Sequence, residues 1–218
     1  MSAQNRQQDD RQKAPAKGEG QTLLLACGAL AREVLALKEL NHWDCFTVDC
    51  LPADLHFRPD LIAPAVQAKI RKARDHYQRI FVLYADCGTG GELDRVLAEE
   101  GVERIAGPHC YSFFDGNDAF ESLHAENIGT FYLTDFSVRH FDTFIWKGLW
   151  LDRHPELRDS YFGNYERVVY QMQAEIPGFR DKARAIAARL GLAYEERQTG
   201  YGDLATFMQQ AADAAPSR

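Results

Sequence analysis

Apolar and polar residues alternate along this chain in a repeating order of short strand-like runs and longer helix-like stretches. The helix-like stretches place apolar residues three or four positions apart, as Leu30, Val34 and Leu37 do. Alternation of this kind with short connections is typical of a parallel sheet covered by helices. The predicted strands are Thr22–Cys27, Phe46–Leu51, Arg79–Ala85, Glu103–Ala106 and Gly129–Asp135, and the predicted helices are residues 29–40, a helix that begins at Pro59, 92–100 and 118–125.

Beyond Asp135 the pattern changes to longer stretches that are rich in aromatic side chains. We predict helices over residues 136–150, 160–176 and 180–190, and an edge strand over 192–196. Aromatic residues at helical spacing usually pack against a sheet, although some can form an apolar wall over a site. The predicted fold is therefore α/β: one doubly wound, mostly parallel, Rossmann-like sheet with helices on both faces and an aromatic-rich helical C-terminal part.

Length and composition indicate a single folded unit. The chain has 218 residues, of which 45% are hydrophobic and 26% charged, and this is enough for one full-sized core. We predict one domain over residues 21–210, preceded by a disordered polar tail over 1–20 and followed by a frayed tail over 211–218.

Charge and hydropathy exclude several classes of function. The net charge of −7 argues against a nucleic-acid partner, because the phosphate backbone attracts clustered Lys and Arg. The basic stretch Lys69–Arg74 has the spacing of a solvated helix face. The sequence shows no secretion signal and no apolar run of the ~20 residues that span a bilayer. With five cysteines, an odd number, we expect a soluble cytoplasmic protein with free thiols and no membrane partner.

Three cysteines each follow a strand-like run. Cys27, Cys87 and Cys110 come after the first, third and fourth predicted strands. The carboxyl ends of parallel strands meet at one edge of a sheet, which is where α/β proteins bind their ligands. We therefore expect the three sulfurs to form a metal site or a reactive thiol site. Cys45 precedes its strand and is expected to be inert, while Cys50 can face either the edge or a helix.

A metal held by three thiolates needs a fourth donor or an open position. Zinc accepts three cysteines with a histidine or with water, and a [4Fe–4S] cluster with one open iron is the alternative. His56 is the preferred fourth donor, because it follows the second predicted strand on the same edge. His109 is the competitor, and next to Cys110 it can instead be a hydrogen-bonding or acid/base group.

Glycines follow two of the cysteines and suggest a second binding element. Gly28 and Gly88 allow a sharp turn in which backbone N–H groups point at whatever the sulfur contacts. Gly88, Gly90 and Gly91 can surround an anion such as phosphate, or they can simply form a tight turn. The sequence has neither G-x-G-x-x-G nor a Walker A motif, so a nucleotide cofactor is the weaker interpretation.

Several short phrases resemble the family known as domain of unknown function 1638. The similarity covers roughly residues 23–190. It implies a link to one-carbon metabolism, because members of this family tend to occur beside corrinoid-dependent methyltransferase systems. The phrases are Ala26-Cys-Gly-Ala-Leu with Glu33, Leu55-His-Phe-Arg-Pro, Tyr84-Ala-Asp-Cys-Gly-Thr-Gly and Gly107-Pro-His-Cys-Tyr.

The leading hypothesis is a metal-thiolate enzyme of the methyltransferase type that acts on a small molecule. His109, Glu33 and Asp86 would serve as its acid/base or hydrogen-bonding groups. One alternative is a non-catalytic accessory protein that binds a corrinoid carrier or a methyltransferase through its aromatic helices. Another is a metal-free redox protein, which requires two sulfurs close enough to form a disulfide.

Overall fold

The computed structural model describes residues 22–214, and the predicted α/β class is confirmed within them. The strands are β1 (Thr22–Cys27), β2 (Phe46–Leu51), β3 (Arg79–Leu83), β4 (Glu103–Arg104), β5 (Thr130–Leu133), β6 (Arg167–Met172) and β7 (Ala193–Gln198). The helices are α1 (Ala31–Leu40), α2 (Ile62–Ala73), α3 (Glu92–Glu100), α4 (Ser112–Asp115), α5 (Asn117–Glu126), α6 (Asp135–His140), α7 (Arg158–Phe162), α8 (Phe179–Leu190) and α9 (Gly202–Asp213).

The strands form two parallel sheets where the sequence predicts one. The first sheet has the order β2-β1-β3-β4 and the second has the order β5-β6-β7. In the first sheet, Cys27 at the end of β1 lies opposite Leu51 of β2. Strand β4 is only two residues long and pairs with β3, while β5 pairs with β6 instead of extending the first sheet. Strand β6 is not predicted from the sequence, and β5 pairs with it. This pairing explains why the structure has two sheets where the sequence predicts one.

The first sheet has a dense core that includes the end of the chain. All six residues of β1 are buried, and α1, α2 and α3 contribute apolar side chains to the same cluster. Helix α9 returns to this sheet, and its Leu204, Met208 and Ala211 are buried there. Residues 211–213, predicted to be frayed, therefore belong to a packed helix. The predicted tail over 1–20 and residues 215–218 lie outside the described residues.

The second sheet corrects the prediction of a helix over residues 160–176 in the C-terminal part. Residues 160–176 do not form one helix, because α7 ends at Phe162 and β6 begins at Arg167. Val168, Val169 and Tyr170 are fully buried. A short apolar run buried on both faces lacks strand alternation and cannot be told from a buried helix by period alone. The predicted edge strand is present as β7, which pairs with β6.

The segment after β5 consists of a short α-helix followed by a π-helical turn. Helix α6 begins with a capping box in which Thr134 and Ser137 exchange hydrogen bonds. It passes directly into a π-helical turn over Phe141–Trp146, so the predicted helix over 136–150 is shorter and less regular than expected. Within residues 22–214, no helix has the length and apolar character needed to cross a membrane.

Candidate functional site

A cavity of about 350 Å³ lies at the carboxyl ends of the strands, with walls from both sheets. Strand β1 of the first sheet contributes Cys27, and the segments that follow its strands contribute Tyr84, Cys87, Cys110, His56 and His109. The second sheet and the segment after it contribute Phe131, Tyr132, Phe136, Phe144 and Ile145. The cavity is thus completed only where the two sheets face each other.

The structure brings the three predicted sulfurs to the floor of this cavity. The Sγ atoms of Cys87 and Cys110 are 3.4 Å apart, and the Cys27 thiol interacts with that of Cys110. All three side chains are buried. Cys45 and Cys50 do not line the cavity; they pack on the core of the first sheet, where burial raises the pKa of Cys50 to about 11.

Two backbone hydrogen bonds join the loops that carry Cys87 and Cys110. The N–H groups of Asp86 and Cys87 donate to the carbonyls of Gly107 and Pro108, at 3.0 and 2.9 Å. Cys87 has a φ of 48°, in the left-handed region that non-glycine residues rarely adopt. Strained backbone of this kind is found where the surrounding structure fixes a functional side chain.

The shared proton of Cys110 makes the other two thiols acidic. A hydrogen bond with Cys110 lowers the pKa of Cys87 to about 5, with a further contribution from His56, and also lowers the pKa of Cys27. The same contacts raise the pKa of Cys110 well above its ordinary value. The site therefore favours a thiolate at Cys87 at neutral pH.

His56 lies at the cavity mouth beside the cysteines. Its interaction with the Cys87 sulfur raises the pKa of the imidazole. His56 is an exposed residue, and its ring lies near those of Phe57 and Phe144, with ring centroids 6.1 and 6.4 Å away. The structure thus brings His56 next to the predicted cysteines, and its role as a fourth metal donor stays a prediction.

His109 lines the cavity as a neutral imidazole. Burial lowers its pKa, and the ring stacks on Tyr111 with centroids 4.9 Å apart. Because a neutral imidazole can both accept and donate a proton, the acid/base role predicted for His109 is compatible with its position.

Tyr84 is a site residue that the sequence reasoning missed. Its side chain is 1% exposed and lines the cavity next to the sulfurs, and its hydroxyl makes no well-formed hydrogen bond. Burial and the neighbouring thiols raise its pKa far above the ordinary value, so the hydroxyl keeps its proton. The sequence contains a signal for Tyr84, because this residue lies three positions before Cys87, at the start of the motif that contains Cys87.

Asp86 and the glycines after it form a loop that is held together by hydrogen bonds to the Asp86 carboxylate. The carboxylate of Asp86 accepts hydrogen bonds from the N–H groups of Gly88, Gly90 and Gly91 and from the Thr89 hydroxyl. Although burial opposes it, these bonds lower the pKa of Asp86. The N–H groups predicted to bind an anion are thus already used, and Asp86 supports the Cys87 loop instead of lining the cavity.

Gly28 and Glu33 both lie outside the lining of the cavity. A Cβ atom at Gly28 would lie 2.7 Å from the carbonyl oxygen of Leu51, so this glycine permits close packing of β1 against the end of β2. Glu33 lies buried on α1 and does not line the cavity. Burial, with a smaller contribution from the nearby Asp135 carboxylate, raises the pKa of Glu33 to about 7. One carboxylate oxygen of Glu33 has no hydrogen-bond partner.

The donor set suits zinc, although the side chains do not already form a metal cage. Within residues 22–214, no group of three or more His, Cys, Asp and Glu side chains has the arrangement of a metal site. Two sulfurs on one tetrahedral zinc with bonds of about 2.3 Å lie about 3.8 Å apart. The 3.4 Å between Cys87 and Cys110 is a few tenths of an ångström shorter. A small separation of the two thiols would bring them to this spacing.

Several of the C-terminal aromatics form a wall over the site, and others belong to the core. Phe136 and Phe144 line the cavity and contact each other at 5.2 Å between centroids. Phe141 and Tyr170 are core residues of the second sheet, as the more conservative interpretation expects. Trp150 is exposed.

The fold and the cavity define a class: an α/β protein with two parallel sheets and a cysteine-lined cavity between them. The chain belongs to the family described as Protein of unknown function (DUF1638), whose model matches residues 50–208, and this confirms the predicted resemblance. Cys27 and its strand precede the matched range. No curated protein and no solved structure matches the chain significantly.

Proposed function

We propose that this protein is a metal-thiolate enzyme that transfers a methyl group to or from a small molecule bound in the cavity. Cys27, Cys87 and Cys110 would bind a zinc ion, with His56 as the fourth donor or as its neighbour at an open position. The observation that carries the proposal is the convergence of three buried thiols at the floor of a cavity between the sheets.

Electrostatics favour a cation at this position. A Cys87 thiolate with a pKa of about 5 is negative at neutral pH; the hydrogen bond with Cys110 stabilises it most, and His56 contributes less. A buried negative charge is costly unless it is paired, and thiolates are strong ligands for soft metals. Zinc would supply Lewis acidity and lower the basicity of the bound sulfurs.

The sulfur spacing favours one ion over an iron–sulfur cluster. Each cysteine of a [4Fe–4S] cluster binds a different iron, so its sulfurs are spread around the cluster. Cys87 and Cys110 are in contact at 3.4 Å, which suits ligands that share one ion.

His109 and Tyr84 would be the proton-transfer groups of the reaction. A nucleophile with an X–H group loses its proton to the neutral His109 imidazole as the X–CH₃ bond forms. The bond between methyl group and donor breaks, and its electron pair stays with the donor. We propose a methylated corrinoid on a partner protein as the donor. A corrinoid is too large for the cavity. The corrinoid would therefore stay outside, and the methyl group would enter the cavity through the opening beside His56 and Phe57.

Metal analysis of protein purified without oxygen tests the proposal. We expect about one zinc per chain and no visible absorption. Cys87→Ser and Cys110→Ser should each lose the metal while keeping the circular dichroism spectrum of the wild type. Cys45→Ser is the matched control, because Cys45 lies outside the cavity, and it should keep the metal. Equal metal content in all variants, or iron with broad absorption, would show the assignment to be wrong.

A metal-free thiol redox site is the second candidate. Two thiols 3.4 Å apart, one with its pKa lowered to about 5, have the arrangement of a dithiol that can close to a disulfide. Absence of any metal together with reversible loss of two thiols on oxidation would favour this candidate. The accessory role, in which the metal is only structural and a corrinoid carrier or methyltransferase is bound, predicts metal uptake without turnover.

A further inference from the structure

We propose that the cavity opens and closes, because the two sheets belong to two lobes that turn about a hinge at Gly116 and at residues 200–202. The first lobe contains β1–β4, α1–α4 and α9, and the second contains β5–β7 and α5–α8. Phe57 closes the mouth of the cavity at the edge that lies away from the hinge. The proposal goes beyond the proposed function, because it does not depend on a metal.

The described part of the chain passes between the lobes only twice, and both passages contain glycines. The first passage joins α4 to α5, where Gly116 has a φ of 86° and a ψ of 137°. The second leads from β7 into α9, where Gly200 and Gly202 have φ values of 64° and 44°. Hinges consist of a few residues at the ends of elements that absorb changes in φ and ψ, and glycine does this without the steric cost of a Cβ atom.

The two passages lie side by side. The backbone N–H and the side-chain amide of Asn117 both donate to the Asp203 carboxylate, at 2.8 and 2.9 Å. A Cβ atom at Gly202 would collide with the carbonyl oxygens of Phe113 and Phe114, so the second passage runs directly against α4. Because the passages are in contact, the lobes can turn about one common axis.

Polar links between the lobes are confined to this hinge. Within residues 22–214, every hydrogen bond and ion pair that joins the lobes involves Asp115 or Asn117, the two neighbours of Gly116 in the chain. Their partners are Gln171, Arg197, Ser112, Ala106 and Asp203. These bonds fix the axis and leave the rest of the interface free to separate.

At the opposite edge of the first sheet the lobes meet through an apolar contact. The sheet order places β2 and β4 at opposite edges; Phe57 follows β2, whereas the first passage follows β4. The ring centroids of Phe57 and Phe144 are 4.9 Å apart. A Cβ atom at Gly148 would lie 2.9 Å from the Phe57 ring, so glycine at this position gives the ring room to pack.

The contact between Phe57 and the second lobe controls access to the buried thiols. Turning about the hinge moves the Phe57 edge furthest, because this edge lies furthest from the axis. Opening would admit or release a small molecule, and closure would exclude water from it. The structure thus corresponds to the closed form.

Thiol labelling of the chelator-treated full chain under anoxic conditions tests the hinge. The reagent is a maleimide on a polyethylene glycol chain, which is too large for a cavity of about 350 Å³. We expect it to label the buried Cys27 and Cys87 at urea concentrations well below those that unfold the protein, because opening exposes far less surface than unfolding. Peptide mass spectrometry at low extents of reaction locates the label, and circular dichroism reports unfolding.

Removal of the closing contact should favour the open form. Phe57→Ala should speed the labelling of Cys27 and Cys87 by the same factor, at least about threefold, because it removes the aromatic pair. Leu61→Ala is the matched control, since Leu61 is 40% exposed and Phe57 is 38% exposed, and it should label as the wild type does. The two cysteines outside the cavity should keep their rates in both variants, which separates opening from loss of the fold. These are Cys45 and Cys50.

A hinge variant separates movement of the lobes from a wider mouth alone. Gly116→Ala places a Cβ atom where φ is 86°, which strains the closed form, so we expect faster labelling of Cys27 and Cys87. Gly101→Ala is its matched control, because Gly101 has a φ of 61° at the end of α3 and no atom lies within 4 Å of the added Cβ. If Gly116→Ala does not fold, the wild type and the Phe57 variant decide.

The outcomes for the hinge and for the proposed function are distinguishable. Labelling only in urea that unfolds the protein, or labelling of Phe57→Ala at the wild-type rate, would overturn the hinge whatever the metal content. A folded Gly116→Ala that labels no faster than Gly101→Ala would do the same. A chain that takes up no metal when purified or reconstituted would overturn the proposed function and leave the hinge intact.

Discussion

Glu33 is the clearest case of a single residue whose ionisation is set by its surroundings. It is 5% exposed, and burial raises its pKa to about 7 from the ordinary value of 4.5. A carboxyl group with a raised pKa stabilises the fold in its protonated form. Its contribution is complete below about pH 4.5 and is lost as the pH rises through 7.

Glu33→Gln should remove this dependence. At pH 4 the variant and the wild type should have nearly equal free energies of unfolding, whereas at pH 8 the variant should be more stable by up to about 3 kcal/mol. Urea unfolding at both pH values measures the difference. Glu39→Gln, on the exposed face of the same helix, should show none. A variant that is less stable than the wild type at pH 8 would mean that the Glu33 charge is itself stabilising.

Asp86 shows how a residue beside a reactive cysteine can be structural. Its carboxylate accepts four hydrogen bonds from the loop that carries Cys87. Asp86→Ala should leave those donors without their partner and destabilise the protein by about 2 kcal/mol. The control is Asp75→Ala, because Asp75 is exposed and follows α2. Unchanged stability with lost activity would instead show that Asp86 acts in the chemistry.

At the scale of elements, helix α9 completes the first core from the far end of the chain. Met208 is fully buried there, next to a half-buried Phe207 that contacts Phe81 of β3. Met208→Ala should leave a cavity and cost about 2–4 kcal/mol of unfolding free energy. Gln209→Ala, at the exposed neighbouring position, should change it by less than about 0.5 kcal/mol. Similar values for both would mean that α9 is not packed in solution.

The elements differ in how well the sequence predicts them. Strands β1, β2 and β3 were predicted close to their observed bounds, because each is an apolar run between clear breaks. The sequence pattern predicts a helix where β6 lies, because β6 is buried on both faces and Tyr170 with the aromatic residues before the strand also fits a helical period. The period of an isolated segment does not report which neighbour it will pair with.

At the scale of the whole molecule, the thiol site is open to a redox reaction when no metal is bound. The Sγ atoms of Cys87 and Cys110 are 3.4 Å apart, so a short movement closes a disulfide. We expect the chelator-treated protein to lose these two thiols on incubation with glutathione disulfide, which is reduced to two glutathione molecules. Peptide mass spectrometry with thiol counting measures the result.

Metal should protect both thiols from this oxidation. The zinc-loaded protein should keep its full thiol count under the same conditions, because a metal-bound sulfur is less available for exchange. Cys110→Ser provides the control, since it lacks the partner for an intramolecular disulfide. Oxidation at the same rate with and without zinc would argue against a shared site.

The sequence by itself determined the α/β class, the family and the identity of the cysteines at the strand ends. These features are local, because strand patterns and the residues that follow them can be read without knowing how strands pair. The tertiary structure decided that the strands divide into two sheets, that Tyr84 joins the sulfurs, and that Asp86 and Glu33 lie outside the cavity. Such features depend on contacts between segments far apart in the chain, and on which polar groups find partners when water is removed.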